Sequence, residues 1–270
     1  MYTQVLDLNR FSSIQAVAER GTLSKKYSFI PTTKVISAFE QKGWLPVKAS
    51  EVRAKEERKG FQKHLIRFRH QSSEVLLNEI HPEIVLTNSH DGLASFKIMA
   101  GMFRLVCLNG LVVSDATFSN ISIRHMGYTD HAVHQAIEEI SDSIPGIAKN
   151  VREFREIELT KDERGIFAQA ALAVKYADAE ERQFDVPRLL APVRRVDDNP
   201  TLWSNFNTVQ EKLIKGGRYE KKTIYTNVPE LKNITKTGRA RAVNSITEDV
   251  RINKGLWLLT EKMAELKRAA

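Results

Sequence analysis

The chain has 270 residues, 42% hydrophobic and 27% charged, enough to bury one good-sized core and unlike disordered, collagenous or fibrous compositions. No apolar run approaches the roughly 18 residues of a membrane span, Met1-Tyr2-Thr3-Gln4 lacks a basic-then-apolar leader, and a single cysteine, Cys107, permits no internal disulfide. A soluble, unprocessed, cytoplasmic protein is expected, with no cysteine-based zinc site.

Thr33 or Thr32 is placed to cap a short helix through Lys42, with Gly43 where a helix stops. Residues 44–53 set Leu45, Val47 and Ala49 at alternate positions, residues 61–70 do the same with Ile66 and Phe68, and a charged link over 55–60 joins them as a β-hairpin. Residues 83–87 and 94–101 read as strands. Residues 103–108 and 111–114 then flank Asn109-Gly110, a dipeptide that tolerates the positive φ angles of a type I′ hairpin turn. One more alternating strand over 118–124 completes a largely antiparallel sheet spanning about residues 44–125.

After Gly127 the period becomes helical. With Asp130 as N-cap, Val133, Ile137, Ile140, Ile144, Ile147, Val151 and Phe154 recur at alternating intervals of four and three. They describe one long helix or two stacked ones, kinked or broken near Ile144 by Pro145. Thr160-Lys161-Asp162-Glu163 has capping-box form and opens a second helix through Ile166, Phe167, Ala170, Ala171 and Val174. Pro187, Pro192 and Pro200, among Arg188, Arg194 and Arg195, make 184–200 an extended connection between a core domain (1–183) and a basic helical region (201–270). A short helix over 202–214 ends at Gly216-Gly217, strand character follows at 223–226, and a last helix over 242–267 carries Ile246, Val250, Trp257 and Met263. Strands followed by helices indicate the α+β class.

Signatures of common chemistry are missing. The chain has no G-x-x-x-x-G-K-[ST] or G-x-G-x-x-G phosphate turn, no H-E-x-x-H, no G-x-S-x-G and no aspartate loop for Ca²⁺, so a non-enzymatic protein without cofactor or metal is the expectation. His131, His134 and Glu138 share a helical face that suits a metal or simply solvent. Thr87-Asn88-Ser89-His90-Asp91-Gly92 gathers polar groups at a strand end. His90 beside Asp91 is an acid–base pair in one reading; in the other the run is a tight turn, which its Asn, Ser, Asp and Gly content favours. Cys107, in Leu105-Val106-Cys107-Leu108, reads as a small buried hydrophobe, with Arg104 the nearest charge along the chain.

The net charge of +8 is uneven: residues 1–211 hold 27 basic and 27 acidic side chains, residues 212–270 hold 14 and 6. Lys212, Lys215, Arg218, Lys221, Lys222, Lys232, Lys236, Arg239 and Arg241 face only Glu220 and Glu230 in that stretch. They form either a polyanion site that gains from counterion release or a solvated basic loop. Strand 64–70 places Arg67 and Arg69 on the face opposite Ile66 and Phe68, where they would track a phosphate backbone. Tyr219 and Tyr225 interleave with Lys221-Lys222 as stacking rings do in single-strand binders, or as ordinary packing tyrosines.

The run 87–92, the run Phe103-Arg104-Leu105-Val106-Cys107-Leu108-Asn109-Gly110-Leu111 and the ending Arg251-Ile252-Asn253-Lys254-Gly255-Leu256-Trp257 resemble the domain-of-unknown-function 932 family, also described as plasmid- or prophage-related proteins. The resemblance covers most of the chain. It marks Asn88, His90, Asp91, Gly92, Arg104, Cys107, Asn109 and Gly110 as motif residues without assigning them roles, and it implies a mobile-element product involved in DNA transactions. The order of hairpin sheet and long helix is also similar to that of Rad fifty-two and phage annealing proteins, which form rings with DNA in an outer basic groove. The combined expectation is a single-stranded DNA-binding annealing or recombination factor, working as a homo-oligomer and in the fullest form a ring. Arg67, Arg69, Arg218, Lys221, Lys222, Arg239 and Arg241 would contact phosphate, and Tyr219 or Tyr225 would contact bases. Two other classes stay open: a metal-dependent nuclease centred on His90 and Asp91, and an interaction module that inhibits a host defence protein through the helical stripe.

Overall fold

The computed structural model describes residues 6–21, 23–71, 80–104, 109–112, 121–123, 125, 129–224 and 234–269. They belong to two compact units, Met1–Ala148 and Lys149–Ala270, so the division falls within a helix and not at the expected connection over 184–200. The architecture is α+β, and no helix among the described residues is long and apolar enough to cross a membrane.

In the first unit, α1 (Thr32–Gln41) is followed by Gly43, whose φ of +81° suits the chain reversal and where a Cβ would lie 2.9 Å from His70 Nε2. Pro31 stands at its N-terminal boundary and no side chain caps the helix; the Thr32 hydroxyl, expected there, is engaged elsewhere. Strands β1 (Trp44–Glu51), β2 (His64–His70), β3 (Ile80–Asn88) and β4 (Phe96–Arg104) pair antiparallel in sequence order. Strands β5 (Asn109–Val112) and β6 (Ile121–Ile123) pair antiparallel with opposite ends of β4. Ile66, Phe68, Ile84, Leu86, Phe96 and Ile98 are fully buried, and Phe39 of α1 stacks on Phe68 with ring centres 4.1 Å apart.

The β4–β5 hairpin exists, but its turn is not at Asn109-Gly110. The register sets Asn109 opposite Arg104 and Gly110 opposite Phe103, which places both residues inside the strand. Pairing with β4 across four residue pairs, and not local turn chemistry, therefore decides where these two residues lie. Cys107 and the rest of the link 105–108 lie outside the described residues.

Helix α2 (Asp130–Glu156) runs unbroken past Pro145. An interior proline costs about 3 kcal/mol, whereas each buried isoleucine contributes about 1.5–3 kcal/mol, and Ile140, Ile144 and Ile147 flank the proline in a stripe that is buried throughout. Its cap is Thr129, whose Oγ1 accepts from the Ala132 amide at 3.2 Å, and not Asp130. Trp44 Nε1 donates to Ser141 Oγ at 3.2 Å and ties α2 to β1.

In the second unit, Thr160 and Glu163 form the expected capping box on α3 (Lys161–Lys175). The buried face of α3 is Phe167, Ala168, Ala171 and Leu172; Ile166, expected there, is 60% exposed. The Pro/Arg-rich connection is more regular than expected. It contains α4 (Val186–Leu190), where Pro187 occupies the first turn and its missing N–H leaves no helical bond unmade. Helix α3 packs with α4, α5 (Leu202–Lys215) and α6 (Ile246–Ala269), and its contact with α6 is tight enough that a Cβ on Gly255 would lie 2.6 Å from Val174 Cγ1. Phe154, Phe206 and Trp257 meet in the core at 5.4 and 6.2 Å. Between α5 and α6, the buried Gln210 Nε2 donates to the buried Asn253 Oδ1 at 2.9 Å, while Asn253 Nδ2 donates to the Asp249 carbonyl at 2.9 Å. A small antiparallel sheet, β7 (Gln183–Phe184), β8 (Glu220–Ile224) and β9 (Ile234–Gly238), completes the unit.

Candidate functional site

The motif run 88–92 forms a buried clasp. Thr32 Oγ1 lies 2.9 Å from His64 Nε2, 3.3 Å from His90 Nε2 and 3.1 Å from Asn88 Nδ2. A hydroxyl gives one proton and accepts at two positions. His64 Nδ1 faces the Gln62 carbonyl at 3.4 Å and can only donate there. Thr32 therefore donates to His64 Nε2 and accepts from Asn88 and His90. Burial drives both imidazoles neutral, pulling His64 down to about 3 and His90 to about 4. His90 Nδ1, unprotonated in this scheme, has no hydrogen-bond partner among the described residues.

Asp91 turns to Arg58, with Nη2 to Oδ2 at 2.5 Å, and its Oδ1 accepts from the Leu93 amide at 3.1 Å. Burial alone would raise this carboxyl, but hydrogen bonds from Arg58, Leu93 and Ser89 together hold it below the ordinary range. Gly92 adopts φ +73°, and a Cβ there would meet Leu23 Cδ2 at 2.7 Å. Backbone bonds from the Arg20 amide to the His90 carbonyl (3.0 Å) and from His90 to Phe61 (2.9 Å) fasten the N-terminal segment over the strand end. His90 is fully buried, so the arrangement serves to join chain segments and presents no open acid–base pair. Glu138 pairs with Lys42, and no group of three metal-ligating side chains occurs among the described residues.

Two expected phosphate contacts are committed internally. Arg67 is 6% exposed and, with Arg69, binds the buried Glu83 carboxylate; Arg69 Nη2 to Oε1 is 2.8 Å. On the face opposite Ile66 and Phe68 the single carboxylate of β3 thus holds both arginines of β2, burying Arg67 and leaving Arg69 partly exposed. Tyr219 is also fully buried and cannot stack on a base, since its ring lies beside Phe184 and its hydroxyl is hydrogen-bonded. Tyr225 lies outside the described residues, Lys222 stands in β8 and Arg104 stands in β4 opposite Asn109.

A different constellation occupies the second unit. Lys175, the last residue of α3, donates from Nζ to the Leu213 carbonyl (2.7 Å), the Arg241 carbonyl (3.1 Å) and the Tyr219 hydroxyl (3.2 Å). Tyr176 donates to Glu220 Oε1 at 3.1 Å, so its oxygen, 3.2 Å from that of Tyr219, is left to accept. Arg182 Nη2 reaches the same Glu220 oxygen at 2.7 Å, and its guanidinium lies 4.3 Å above the Tyr176 ring. The result is a directed chain from the Lys175 ammonium through Tyr219 and Tyr176 to Glu220. Burial lowers Lys175 to about 8 and raises Tyr176 to about 12; Tyr219 is pushed higher still by burial and by Tyr176.

Above this floor Arg239, Arg241, Ala242 and Val243 complete an open pocket of about 420 Å³. The Ala240 amide bonds Gly217 at 2.8 Å and the Val243 amide bonds Ile214 at 2.8 Å, which holds the 239–243 segment against the end of α5. Gly216, at φ +77°, permits the close approach: a Cβ would lie 2.4 Å from the Ala240 oxygen. Arg218, Lys221, Lys236, Arg239 and Arg241 are exposed and form no ion pair among the described residues. By contrast, Arg194 and Lys215 share Glu211. Register sets Lys222 opposite Lys236, two like-charged residues at one level of the β8–β9 ladder.

Residues 20–257 match the family model described as Domain of unknown function (DUF932). The chain belongs to this family. Two relatives from Escherichia coli (strain K12), UPF0380 protein YfjQ and UPF0380 protein YafZ, are each 31% identical over 247 residues, which is 89% of this chain and 83% of either relative. No solved structure matches it. Both the clasp and the pocket lie inside the DUF932 span. Sequence reasoning missed Thr32 and His64 in the clasp, and Lys175, Tyr176 and Arg182 in the pocket. The adjacent Lys175-Tyr176 at a helix end was the one local signal, a cation and an aromatic where the apolar stripe stops.

Proposed function

We propose that this DUF932 protein binds single-stranded DNA through the β8–β9 hairpin and the adjoining pocket. One observation carries the reading: five exposed cations, Arg218, Lys221, Lys236, Arg239 and Arg241, lie on or beside this hairpin, Lys221 and Lys236 on its opposite faces, without carboxylate partners among the described residues. Unpaired exposed cations retain the charge that releases counterions from phosphates. A pocket of about 420 Å³ favours a single strand, because it accepts one splayed nucleotide, which a stacked duplex does not offer. An antiparallel sheet followed by a long helix is also the order found in Rad fifty-two-like annealing proteins. A homo-oligomer would repeat the basic hairpin along one strand, and annealing is the activity such repetition serves.

Fluorescence anisotropy of labelled single- and double-stranded oligonucleotides over a salt series, without metal, tests this. The expected result is tighter binding of the single strand, weakening steeply with salt. Replacing Arg218, Lys221 and Arg239 by glutamine should flatten the slope of log K against log[salt] by about 2, at about 0.7 per lost phosphate contact. Binding that is indifferent to salt, or unchanged in the triple variant, would remove the proposal.

A further inference from the structure

We infer that the pocket lined by Lys175, Arg182, Glu220, Arg239 and Arg241 is a phosphate-monoester site, taking the doubly charged phosphate of a strand end or of a free nucleotide. The strand-end form rests on the single-strand reading above; the nucleotide form does not.

The argument is a charge count. Arg182 lies between two carboxylates, Glu220 at 2.7 Å and Asp178 at 3.6 Å. The three hydrogen bonds of Lys175 all go to neutral oxygens, so its charge is satisfied in geometry but not neutralised. Arg239 and Arg241 have no carboxylate partner among the described residues. Lys175, Arg182, Arg239 and Arg241 therefore face only Glu220 and Asp178 among the described residues, an excess of two positive charges over one pocket. A phosphodiester brings one negative charge, whereas a monoester brings about two at pH 7 and offers three acceptor oxygens to guanidinium forks. Size agrees, since about 420 Å³ exceeds a bare ion's needs and falls in the range of small-molecule sites. Ala242 and Val243 supply an apolar wall for the sugar or base. The site is also built in advance: Lys175 fixes the Arg241 carbonyl, and the Gly217–Ala240 hydrogen bond fixes the strand that brings in Arg239.

The test compares twenty-residue thymidine oligonucleotides ending in 5′-hydroxyl, 5′-phosphate or 3′-phosphate, and adds thymidine monophosphate, thymidine and inorganic phosphate as competitors by calorimetry. The site predicts at least tenfold tighter binding of one phosphorylated end, displacement by thymidine monophosphate, and none by thymidine. Arg239→Gln with Arg241→Gln, both exposed and so expected to fold, should abolish the preference. A second readout is proton uptake near pH 8 on binding thymidine monophosphate, because a dianion stabilises the protonated Lys175 amine. Equal affinity for all three ends with no thymidine monophosphate binding overturns this inference and leaves strand binding standing. Thymidine monophosphate binding without strand binding overturns the single-strand reading and leaves the pocket assignment in place. Displacement by inorganic phosphate as effective as by the nucleotide would reject the sugar–base wall and overturn the assignment as stated.

Discussion

Lowering the pH from 7 to 5 should cost the sheet-bearing unit about 4 kcal/mol. His64 and His90 are buried, and burial pulls their ionisation down to about 3 and about 4, against about 6.5 in an unfolded chain. Between those values the unfolded chain binds protons that the folded one excludes. Stability is therefore complete above about pH 6.5 and is lost as the pH falls toward the folded values. At pH 5 each imidazole lies about 1.5 pH units below its unfolded value, worth about 2 kcal/mol, or about 4 for the pair. His125, also held down by burial, adds to the same slope, while carboxylates have barely begun to titrate. Urea unfolding at pH 7, 6 and 5, read by hydrogen exchange on peptides from β2 and β3, measures the change. A His64→Gln, His90→Gln variant that still folds should lose most of it. Equal stability at pH 7 and 5, or imidazole NMR signals of both residues titrating near 6.5, would refute the buried-neutral assignment.

Thr32→Val keeps the shape but strands three buried polar atoms of the clasp, an expected loss of about 3 kcal/mol or more; Thr32→Ser should lose only about 1 kcal/mol for its methyl. Chemical denaturation of the two variants side by side decides whether the hydroxyl is the hub. Glu83→Gln should destabilise the same unit by about 3–5 kcal/mol, because it deprives the buried Arg67 of its carboxylate, and a loss below about 1 kcal/mol would argue against that pair. Gly216→Ala forces a side chain into a left-handed φ and against the Ala240 oxygen, so at least about 2 kcal/mol should be lost and exchange of the Ala240 and Val243 amides should accelerate. Exchange at the parent rate would show that the 239–243 segment does not depend on this approach.

What could be read from the chain was local in origin. The α2 stripe and the Thr160–Glu163 box depend on neighbours within one or two helical turns, and both are where the spacing puts them. Gly43 and Gly216 mark helix ends because their φ angles are required at once by the next few residues. The misplaced features answer to distant partners. The strand position of Asn109-Gly110 is set by Arg104 and Phe103 opposite them, the fate of Arg67 by Glu83 across the sheet, and the continuity of α2 at Pro145 by the burial of its isoleucines. Tyr219 next to basic residues has the composition of a stacking ring, yet its hydroxyl is held by Lys175 and Tyr176, more than forty positions earlier in the chain. Arg239 and Arg241 were legible as charge; that Lys175 and Arg182 would join them was not, because α3 reaches the pocket only through tertiary packing.

The Gln210–Asn253 amide pair makes the α5–α6 seam behave as a notch more than a slide. Apolar ridges of similar size tolerate displacement by a helical turn, because one methyl group substitutes for another at nearly equal burial. An amide does not: moved 5.4 Å along the axis, Gln210 would bury its N–H groups against carbon, and the Asn253 oxygen would lose its donor. Sliding is then opposed by two unmet polar groups before any packing is disturbed. Substitutions that merely change side-chain volume along this seam should leave the helices in register, while Gln210→Leu, apolar and nearly isosteric, should free them to shift.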